Sequence, residues 1–550
     1  MVQEETKIPR KLNIWLPLLF ALVLAAGMLI GTKLRPVQAR VTIGNSDAEV
    51  PASSMGQGKI EELIRYIEAR YVDEVDRETL VQEAIDEILS KLDPHSNYIS
   101  ADDLKGVNES LEGEFDGIGI EFLVVDDTLI VVTPLAGGPS ETAGILAGDK
   151  MIEVSDSIIS GVKMKSSNVM DLLRGKKGTE VTVKILRGKE THEITITRDK
   201  IPNHSVDVSY MLDEKTGYIK VNRFSATTYE EFMKSLEDLK EKSQMEDLVI
   251  DLRGNPGGYL NEATSILSQL FREQKRLMVY TEGRTVKRND YETTGRNFHQ
   301  VDDIAVLIDE GSASASEIVA GAMQDWDRAV VIGRRSFGKG LVQEQYQLRD
   351  GSALRLTVAR YYTPSGRLIQ KNYEDKEAYN RDVIERFNNG ELYNSDSIQI
   401  ADSTIFETAG GRTVFGGGGI TPDIFVPFDS TILNDYYLQL RGQIPGFVYR
   451  FMDNNQSNFQ GMLLDKFQKE YTIDDKAYLQ LVNYAAEHNV PKNMQEIEAV
   501  KADVKHFLKA RMAKHLYGDI GLYTILNEDD EAIQTAVKTL LEDKPLTGNN

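Results

Sequence analysis

Apolar runs and amphipathic stretches alternate between residues 200 and 370. Continuous apolar runs at residues 248–252 and 304–308 predict two strands that are buried on both faces. Shorter apolar runs predict further strands at residues 217–221 and 329–332. Apolar residues at helical spacing predict helices at residues 229–242, 261–271 and 317–325. Strands that alternate with helices predict an α/β sheet with its ligands at the strand ends.

Residues 105–199 show a different pattern, in which short alternating strands are separated by glycine turns. Gly117, Ile118, Gly119 and Ile120 form a loop that opens the first of these strands. The order of segments resembles a PDZ domain in the circularly permuted form found in bacterial proteases. Such a loop would present backbone N–H groups to a peptide carboxylate, and the next strand would pair with the bound tail. For the loop alone, an ordinary glycine turn is the alternative.

The amino terminus carries an apolar run from Ile14 to Ile30, preceded by basic residues. A spanning helix needs about 20 mostly apolar residues, so residues 1–40 predict a cytoplasmic tip and a transmembrane anchor, with the body of the protein outside the cytoplasm. A cleaved signal peptide is the alternative, since Val37-Gln38-Ala39 is similar to a small-residue cleavage site. Residues 41–57 are polar and predict a linker.

Both ends of the folded part have helical patterns. Lys59 to Leu92 carries apolar residues at helical spacing and ends at Leu92-Asp93-Pro94-His95-Ser96, where the proline disfavours helix. A lone histidine beside a proline turn is more typical of a structural role than of a catalytic one. Residues 429–550 predict helices near residues 474–488, 493–515 and 530–541, with no evident chemistry.

Composition excludes several classes of function. The net charge of −23 argues against nucleic-acid binding, which needs a basic surface. The absence of cysteine excludes disulfides, thiol catalysis and cysteine-ligated metals. The 7 histidines form no metal-type motif. We therefore expect neither a metal nor another cofactor.

Two loops follow the two buried strands, and in a parallel sheet both would meet at one edge. The glycine-rich loop, Arg253 to Gly258, allows close approach of a substrate and can present N–H donors. The serine-rich loop, Gly311 to Ser316, enters a helix, so that Ser314 or Ser316 would lie at the positive end of the helix dipole. A serine N-cap without catalytic function is the alternative.

Lys339 lies between two glycines after the next predicted strand, and Gln343 follows four residues later. At this spacing both side chains can face the same way, so the amide could direct the amine toward a serine hydroxyl. A serine hydroxyl needs an adjacent base, and a lysine amine can serve only if burial lowers its pKa well below about 10.4. A solvated loop lysine is the alternative.

Together these segments resemble the carboxyl-terminal processing peptidases, also called tail-specific proteases, which are serine peptidases with a Ser/Lys dyad. The resemblance covers about residues 57–428. It rests on segments that occur in this order: Asp76 with Leu80, Leu92 to Tyr98, Phe115 to Ile120, Leu173 to Thr179, Asp251 to Gly258, the Ser314 loop, Lys339 with Gln343, Tyr362 to Arg367, and Gly419 to Asp423.

The resemblance implies a role for each matched residue. It selects Ser314 as nucleophile, Lys339 as general base and Gln343 as the residue that positions the lysine. It places the oxyanion hole at the N–H groups of Ala315 and of Gly257 or Gly258. The PDZ module would capture protein C-termini, and Arg174 would sense the bound peptide. The resemblance also implies a Clp/crotonase-like α/β protease core and a location in the bacterial inner membrane, with the catalytic part in the periplasm.

The chain departs from the family pattern in an insertion at about residues 371–408 and in the carboxyl-terminal helices. We expect the anchor and linker to be followed by an amino-terminal helical part at 58–104, a PDZ domain at 105–199, a peptidase core at 200–428 and a helical domain at 429–550. Protein substrates bound by their tails are the expected partners, and the last domain could mediate homo-oligomerisation or contact with an adaptor protein.

Two other functions stay open from the sequence. One is a non-catalytic PDZ adaptor that binds protein tails at the cell envelope, although such a protein has no need of both Ser314 and Lys339. The other is a Ser-His-Asp hydrolase that uses His299, which lies in a polar stretch.

Overall fold

The computed structural model describes residues 58–399, 404–429 and 434–542. The predicted anchor at residues 14–30 and the predicted linker at 41–57 lie outside these ranges. Among the helices of the described residues, none combines the length and the apolar character needed to cross a membrane.

The strands are numbered in chain order. They are β1 (Asn97–Ile99), β2 (Glu114–Gly117), β3 (Ile120–Val125), β4 (Thr128–Pro134), β5 (Lys150–Val154), β6 (Ser157–Ile158), β7 (Glu180–Arg187), β8 (Glu190–Thr197), β9 (Asp199–Pro202), β10 (Val206–Met211), β11 (Thr216–Val221), β12 (Asp247–Asp251), β13 (Gln274–Glu282), β14 (Asn289–Thr294), β15 (Ile304–Ile308), β16 (Val330–Gly333), β17 (Leu341–Gln347), β18 (Ala353–Tyr362), β19 (Ile405–Glu407), β20 (Thr413–Phe415) and β21 (Ile424–Phe425).

The helices are numbered in the same way. They are α1 (Lys59–Arg70), α2 (Arg77–Ser90), α3 (Ala101–Glu112), α4 (Pro139–Thr142), α5 (Ser166–Leu173), α6 (Thr228–Ser243), α7 (Leu260–Leu270), α8 (Ala315–Asp325), α9 (Lys376–Asn388), α10 (Asp435–Asn454), α11 (Gln456–Phe459), α12 (Leu464–Glu470), α13 (Asp475–Glu487), α14 (Met494–Ala499), α15 (Lys501–Tyr517), α16 (Asp519–Leu526) and α17 (Glu531–Leu541).

A six-stranded sheet forms the centre of the core, in the order β10, β11, β12, β15, β16 and β21. All neighbours from β11 onward are parallel, whereas β10 is antiparallel to β11. Because β12 and β15 are adjacent and parallel, the loops after their carboxyl ends open at the same edge of the sheet. This arrangement brings the glycine-rich and serine-rich loops together.

Helices cover both faces of this sheet. One face is covered by α6, α7 and α8, through buried residues that include Leu236, Leu267 and Val319. The other face is covered by α17, whose Ile533 and Leu540 pack with residues of the central strands. The last described helix therefore contributes to the hydrophobic core beneath the two loops.

A second sheet carries the segment that follows Lys339. It has the order β1, β18, β13 and β14, and β17 pairs with β18. Gln343 lies on β17, and residues 97–99 on β1 pair antiparallel with β18. The Asp93-Pro94-His95 turn immediately precedes β1, which places it close to the lysine segment.

The β-rich module has its own sheet and core. Its sheet has the order β3, β4, β5, β7 and β8, and its buried residues include Val131, Met151 and Val183. The strands β2 and β9 pair antiparallel where the chain enters and leaves the module. β3 lies at the edge of this sheet, and among the described strands it pairs with β4 alone.

Most predicted elements lie within one or two residues of the observed ones, but two predicted helical stretches are each divided. Residues 59–92 form α1 and α2, separated at residues 71–76, and residues 493–515 fall in α14 and α15. In the first break, the side chain of Asp76 accepts a hydrogen bond from the amide of Thr79, which is typical of a new helix start. The predicted insertion contains α9.

Candidate active site

Ser314 occupies a strained backbone conformation at the start of α8. Its φ of 54° and ψ of −112° lie in a region that residues with a side chain rarely adopt. Such strain persists only when the surroundings hold it in place, and it is found mostly at functional sites. The hydroxyl is thereby presented at the end of a parallel strand, beside the amino terminus of a helix.

The structure separates the three serines of this loop by their hydrogen bonds. The hydroxyl of Ser312 donates to the carbonyl oxygen of Leu252 at 2.9 Å, and that of Ser316 donates to the carbonyl oxygen of Asn255 at 3.0 Å. Both serines are fully buried. The oxygen of the Ser314 hydroxyl faces the backbone amide of Glu317 in a capping box, but among the described residues its proton has no acceptor. Of the three serines, Ser314 is therefore the one whose hydroxyl does not donate to the backbone.

The glycine-rich loop passes directly beside Ser314. A methyl group on Gly257 would lie 2.8 Å from Cβ of Ser314 and 2.9 Å from the amide nitrogen of Ala315. A methyl group on Gly258 would overlap the carbonyl oxygen of Phe224. Both glycines have positive φ, at 96° and 147°. These positions therefore exclude any side chain.

The amides of this region distinguish Gly257 from Gly258. The N–H of Gly257 donates to Oδ1 of Asn255 at 2.8 Å. By contrast, the amides of Gly258 and Ala315 donate to no other described residue, and Ala315 is the first residue of α8, where the amide has no partner inside the helix. Two free N–H groups thus lie beside Ser314.

The amine of Lys339 is oriented by a side-chain amide. Nζ of Lys339 lies 3.1 Å from Oε1 of Gln343, and Nε2 of Gln343 donates to the backbone carbonyl of His95. Among the described residues, no hydrogen bond joins Nζ of Lys339 to the hydroxyl of Ser314. Both groups nevertheless line the same cavity of about 780 Å³.

The surroundings of Lys339 favour its neutral form. Burial lowers the pKa of the Lys339 amine, and the positive charge of Arg355 lowers it further. The carboxylates of Glu317 and Asp93 act in the opposite direction and do not reverse the shift. A lysine with a lowered pKa can accept a proton closer to neutral pH.

A buried carboxylate connects the serine and lysine segments. Glu317 is fully buried, and it accepts hydrogen bonds from the amides of Ser314 and Lys339 at 2.8 Å each, from the amide of Gly338 at 2.7 Å and from the hydroxyl of Ser336. Burial raises the pKa of Glu317, although these four hydrogen bonds oppose the shift. The carboxylate therefore fixes the backbone of both candidate residues.

A tyrosine makes a second connection between the same segments. The hydroxyl of Tyr361 lies within hydrogen-bonding distance of the carbonyl oxygens of both Ser314 and Lys339. Because it has a single proton, it donates to one of the two at a time.

Charged side chains fix the start of the glycine-rich loop. Arg253 bonds both carboxylate oxygens of Asp251, and its Nη1 donates to Asp530, the N-cap residue of α17, at 2.8 Å. Lys220 also pairs with Asp251. Although burial raises the pKa of Asp251, the charges of Arg253 and Lys220 bring it well below its usual range.

The cavity lining is mixed in character. Apolar side chains and cationic side chains both contribute to the wall, together with polar residues from α3. Lining residues that bear on substrate contact are Asn108, Leu111, Arg223, Tyr259, Leu260, Tyr291, Ile318, Val342 and Arg355. The cavity is large enough to hold a short stretch of extended polypeptide.

The predicted tail-binding loop has two backbone amides without a partner in the described part of the chain, although Gly117, Ile118 and Gly119 are buried. Among the described residues, neither the amide of Ile118 nor that of Gly119 finds an acceptor. The carbonyl of Ile118 accepts from the amide of Ser140 at 3.0 Å, which fixes the loop. Arg174, directly after α5, lies over the ring of Phe115 and pairs with Glu109 of α3 at 3.3 Å.

The histidines do not form a triad with Ser314. His299 makes no hydrogen bond with any described residue, and the imidazole of His95 is bonded to Tyr379 instead. The part of the chain that the structure describes contains no cluster of residues suited to hold a metal ion.

Sequence reasoning missed three residues around this site, namely Glu317, Tyr361 and the backbone of His95. A signal existed for one of them, since a glutamate three residues after a serine at a helix start is the pattern of a capping box. The roles of the other two depend on contacts between segments far apart in the chain.

Comparison with known proteins supports this reading of the fold. The sequence matches peptidase family S41 over residues 215–376 and the PDZ domain over 117–197. It also matches the amino-terminal domain of the activating protease CtpB over 21–103 and a family of unknown function over 436–518.

Two curated relatives are similar over most of their length. A carboxy-terminal-processing protease of Bartonella bacilliformis is 34% identical over 394 residues, which cover 70% of this chain and 88% of that protein. The carboxy-terminal processing protease CtpB of Bacillus subtilis is 36% identical over 370 residues, which cover 64% of this chain and 75% of that protein.

Among solved structures, the photosystem II D1 C-terminal processing protease is 25% identical, with a TM-score of 0.35, and covers 67% of this chain and 92% of that one. The two curated relatives carry the assignment, and they favour hydrolysis over a purely adaptor function. On this basis the chain belongs to the carboxy-terminal processing proteases of peptidase family S41, serine proteases with a PDZ domain.

Proposed function

We propose that this protease cleaves its substrates with a Ser/Lys dyad formed by Ser314 and Lys339. The observation that carries the proposal is the presence, in the same cavity, of a serine whose hydroxyl donates to no described residue and a half-buried amine of lowered pKa. Gln343 directs the amine, and the N–H groups of Ala315 and Gly258 serve as the oxyanion hole. The amide of Gly257 is already bonded to Asn255, which favours Gly258.

The proposed reaction begins when the neutral amine of Lys339 removes the proton from the hydroxyl of Ser314. The oxygen attacks the substrate carbonyl carbon, and the two free N–H groups stabilise the resulting oxyanion. The carbon–nitrogen bond then breaks, and the ammonium of Lys339 returns the proton to the leaving amine. Water repeats the same steps on the acyl-enzyme and releases the acid product.

Lys339 must approach Ser314 before the reaction can start, because its amine is bonded to Gln343. A lysine side chain is a flexible four-carbon chain, so rotation about its bonds can bring the amine closer to Ser314. We propose that occupation of the PDZ module by a substrate tail favours this approach through Arg174, which lies between the module and α3. Catalytic hydrogen bonds are often long in unliganded enzymes.

Covalent labelling with a serine-directed probe tests the dyad. Mass spectrometry should find the label on Ser314 in the wild type and none in Ser314→Ala or Lys339→Ala. Ser316→Ala is the matched control, because Ser316 lies in the same loop with its hydroxyl bonded to the backbone. Labelling of Lys339→Ala at the wild-type rate would contradict the proposal.

We also propose that residues 14–30 anchor the protein in the membrane, with the protease part outside the cytoplasm. The support is the apolar run and its basic flank. Full-length protein should stay with washed membranes, whereas a variant that lacks residues 1–40 should be released. An intact-mass measurement that finds these residues removed would favour the signal peptide instead.

A further inference from the structure

The insertion that separates this chain from the minimal family pattern lies against the catalytic-lysine segment. Its helix α9 carries Arg386, whose side chain is only 2% exposed and whose Nη1 donates to the carbonyls of Arg335 at 3.1 Å and Ser336 at 2.9 Å. Two backbone oxygens just before Lys339, of which that of the buried Ser336 is one, are therefore bonded by a residue of the insertion.

Aromatic and charged contacts make a second connection. The amine of Lys371 lies 3.8 Å from the ring centre of Phe337 and 4.2 Å from that of Tyr379, and it pairs with Asp382 of α9 at 3.0 Å. A cation between two aromatic faces is attracted to both. Phe337 is two residues before Lys339, so these contacts also hold the lysine segment.

Tyr379 of α9 reaches further, to His95. Its hydroxyl lies 2.6 Å from Nε2 of the imidazole, and the rings meet edge to face at 5.6 Å. Tyr379 is 5% exposed. Burial lowers the pKa of His95 to about 4, and the nearby charge of Lys339 adds to the shift, so the imidazole is neutral at pH 7.

His95 in turn fixes the amide of Gln343. Its backbone carbonyl can only accept a hydrogen bond, and Nε2 of Gln343 donates to it. The oxygen of that amide must then face Lys339, where it lies 3.1 Å from Nζ. Asp93 supports the turn by accepting from the amide of His95 at 2.8 Å.

We propose that Tyr379 is a positioning residue for catalysis, which holds His95 so that the Gln343 amide directs the amine of Lys339. The insertion at residues 371–408 would then be part of the catalytic apparatus of this chain. This inference rests on the proposed Ser314/Lys339 dyad. Tyr379 itself does not line the active-site cavity, so it acts through His95 and Gln343.

Replacement of Tyr379 by phenylalanine keeps the ring over Lys371 and removes only the hydroxyl. We expect kcat for an unfolded reporter protein to fall about tenfold at unchanged KM, equivalent to about 1.4 kcal/mol, because the hydroxyl loses its bond to His95 together with its contact to the side chain of Gln370. Tyr393→Phe is the control. Tyr393 belongs to the same insertion but packs against Phe387 and Phe428, away from the lysine segment.

The pH profile separates positioning from a merely structural effect. An amide oxygen that accepts from the ammonium favours the charged form, so a displaced Gln343 lowers the pKa of Lys339. The acid limb of kcat/KM should therefore move to lower pH in Tyr379→Phe and stay in place in Tyr393→Phe. The other groups around Lys339 and His95, namely Arg355, Glu317, Asp93, Lys371 and Asp382, are unchanged in both variants.

A double-mutant cycle gives the sharpest test. If Tyr379 acts through Gln343, then Tyr379→Phe should cause almost no further loss of kcat in a Gln343→Ala background. Additive losses would overturn the inference, as would a Tyr379→Phe variant with wild-type kcat and an unmoved acid limb.

Probe labelling of Ser314 distinguishes failure of the Tyr379 positioning role from failure of the Ser314/Lys339 dyad. If the wild type is labelled at Ser314 and Tyr379→Phe reacts at the wild-type rate, only the positioning role is overturned. If the wild type takes no label at Ser314, then the dyad itself is wrong and the inference falls with it. Equal thermal midpoints for both phenylalanine variants would show that folding is not the cause of any difference.

Discussion

The segment around Lys339 and the junction around Arg174 are held in different ways. Buried groups from α8, α9 and β18 fix the lysine segment, and Glu317 at its centre is fully buried. At the junction between the PDZ module and α3, the Arg174 side chain is 42% exposed and makes one ion pair at 3.3 Å. An exposed pair contributes little to stability, whereas buried hydrogen bonds are costly to break.

This difference indicates a division of labour within one chain. The backbone that carries the proposed nucleophile and base is fixed in advance, which favours electrostatic stabilisation of a transition state, and only the Lys339 side chain has to move. The contact that links tail binding to the cleft is weak enough to rearrange when a substrate binds.

The largest effect is expected from Glu317→Ala. This substitution leaves four donors without a partner in a buried site, at roughly 1–3 kcal/mol each, so unfolding should become easier by about 4 kcal/mol or more. Denaturant unfolding measures this loss, and turnover should disappear in the fraction that stays folded.

Glu310→Ala is the control for that variant, because Glu310 lies seven residues before Glu317 and, among the described residues, its carboxylate pairs with Arg334 and not with the lysine segment. A Glu317→Ala protein as stable and active as the control would contradict the rigid side of the comparison.

The second largest effect is expected from Gly257→Ala, which should lower kcat by about 100-fold or more. The added methyl group would lie 2.9 Å from the amide of Ala315 and would block the proposed oxyanion hole. Steady-state kinetics should show this loss while tail-peptide binding to the PDZ module stays unchanged.

Gly254→Ala provides a matched control, since Gly254 also has positive φ, at 68°, but has open space around it. If both variants lose the same activity, backbone strain rather than obstruction of the hole is the cause.

Asp530→Asn should have a moderate effect. Asparagine retains the N-cap of α17 but loses the charge that Arg253 pairs with, which should cost about 1 kcal/mol of stability and lower kcat a few-fold as the glycine-rich loop loosens. Thermal unfolding measures the loss of stability, and steady-state kinetics measure the change in kcat.

Glu531→Gln is the control. Glu531 is the next residue along the chain and makes no ion pair with another described residue, so this variant should have wild-type stability and kcat. Equal behaviour of the two variants would show that α17 does not support the loop through its charge.

The smallest effect on stability is expected from Arg174→Ala. Loss of one exposed ion pair and one contact with the Phe115 ring should change the free energy of unfolding by less than about 1 kcal/mol. Denaturant unfolding checks this value. A loss above about 2 kcal/mol would mean that the junction is as rigid as the lysine segment, and the comparison would fail.

The sequence was sufficient to predict much of the fold, because local patterns encode it. The apolar run at 304–308 became β15 without a change of bounds, and the run at 248–252 is displaced by a single residue from β12. The parallel pairing of these strands confirms that the two loops share an edge. Such predictions need only the periodicity of neighbouring residues.

The contacts that hold the site residues in place could not be predicted from local sequence patterns. Tyr379 contacts a residue 284 positions earlier, and Arg253 pairs with Asp530, 277 positions later. No spacing rule connects such partners. The preference for Ser314 over Ser316 likewise came from the resemblance, and the bond of the Ser316 hydroxyl to the backbone, which favours Ser314, could not be predicted from the sequence.

The pH dependence of Ser314 labelling tests the central claim most directly, namely that a neutral Lys339 amine activates this hydroxyl. Since burial lowers the pKa of Lys339, the neutral amine is present above that lowered value and is lost as the pH falls through it. We predict a labelling rate that rises with pH through one ionisation below the ordinary lysine value of about 10.4, and that disappears in Lys339→Ala. A rate that is independent of pH, or is equal in the two proteins, would contradict the account.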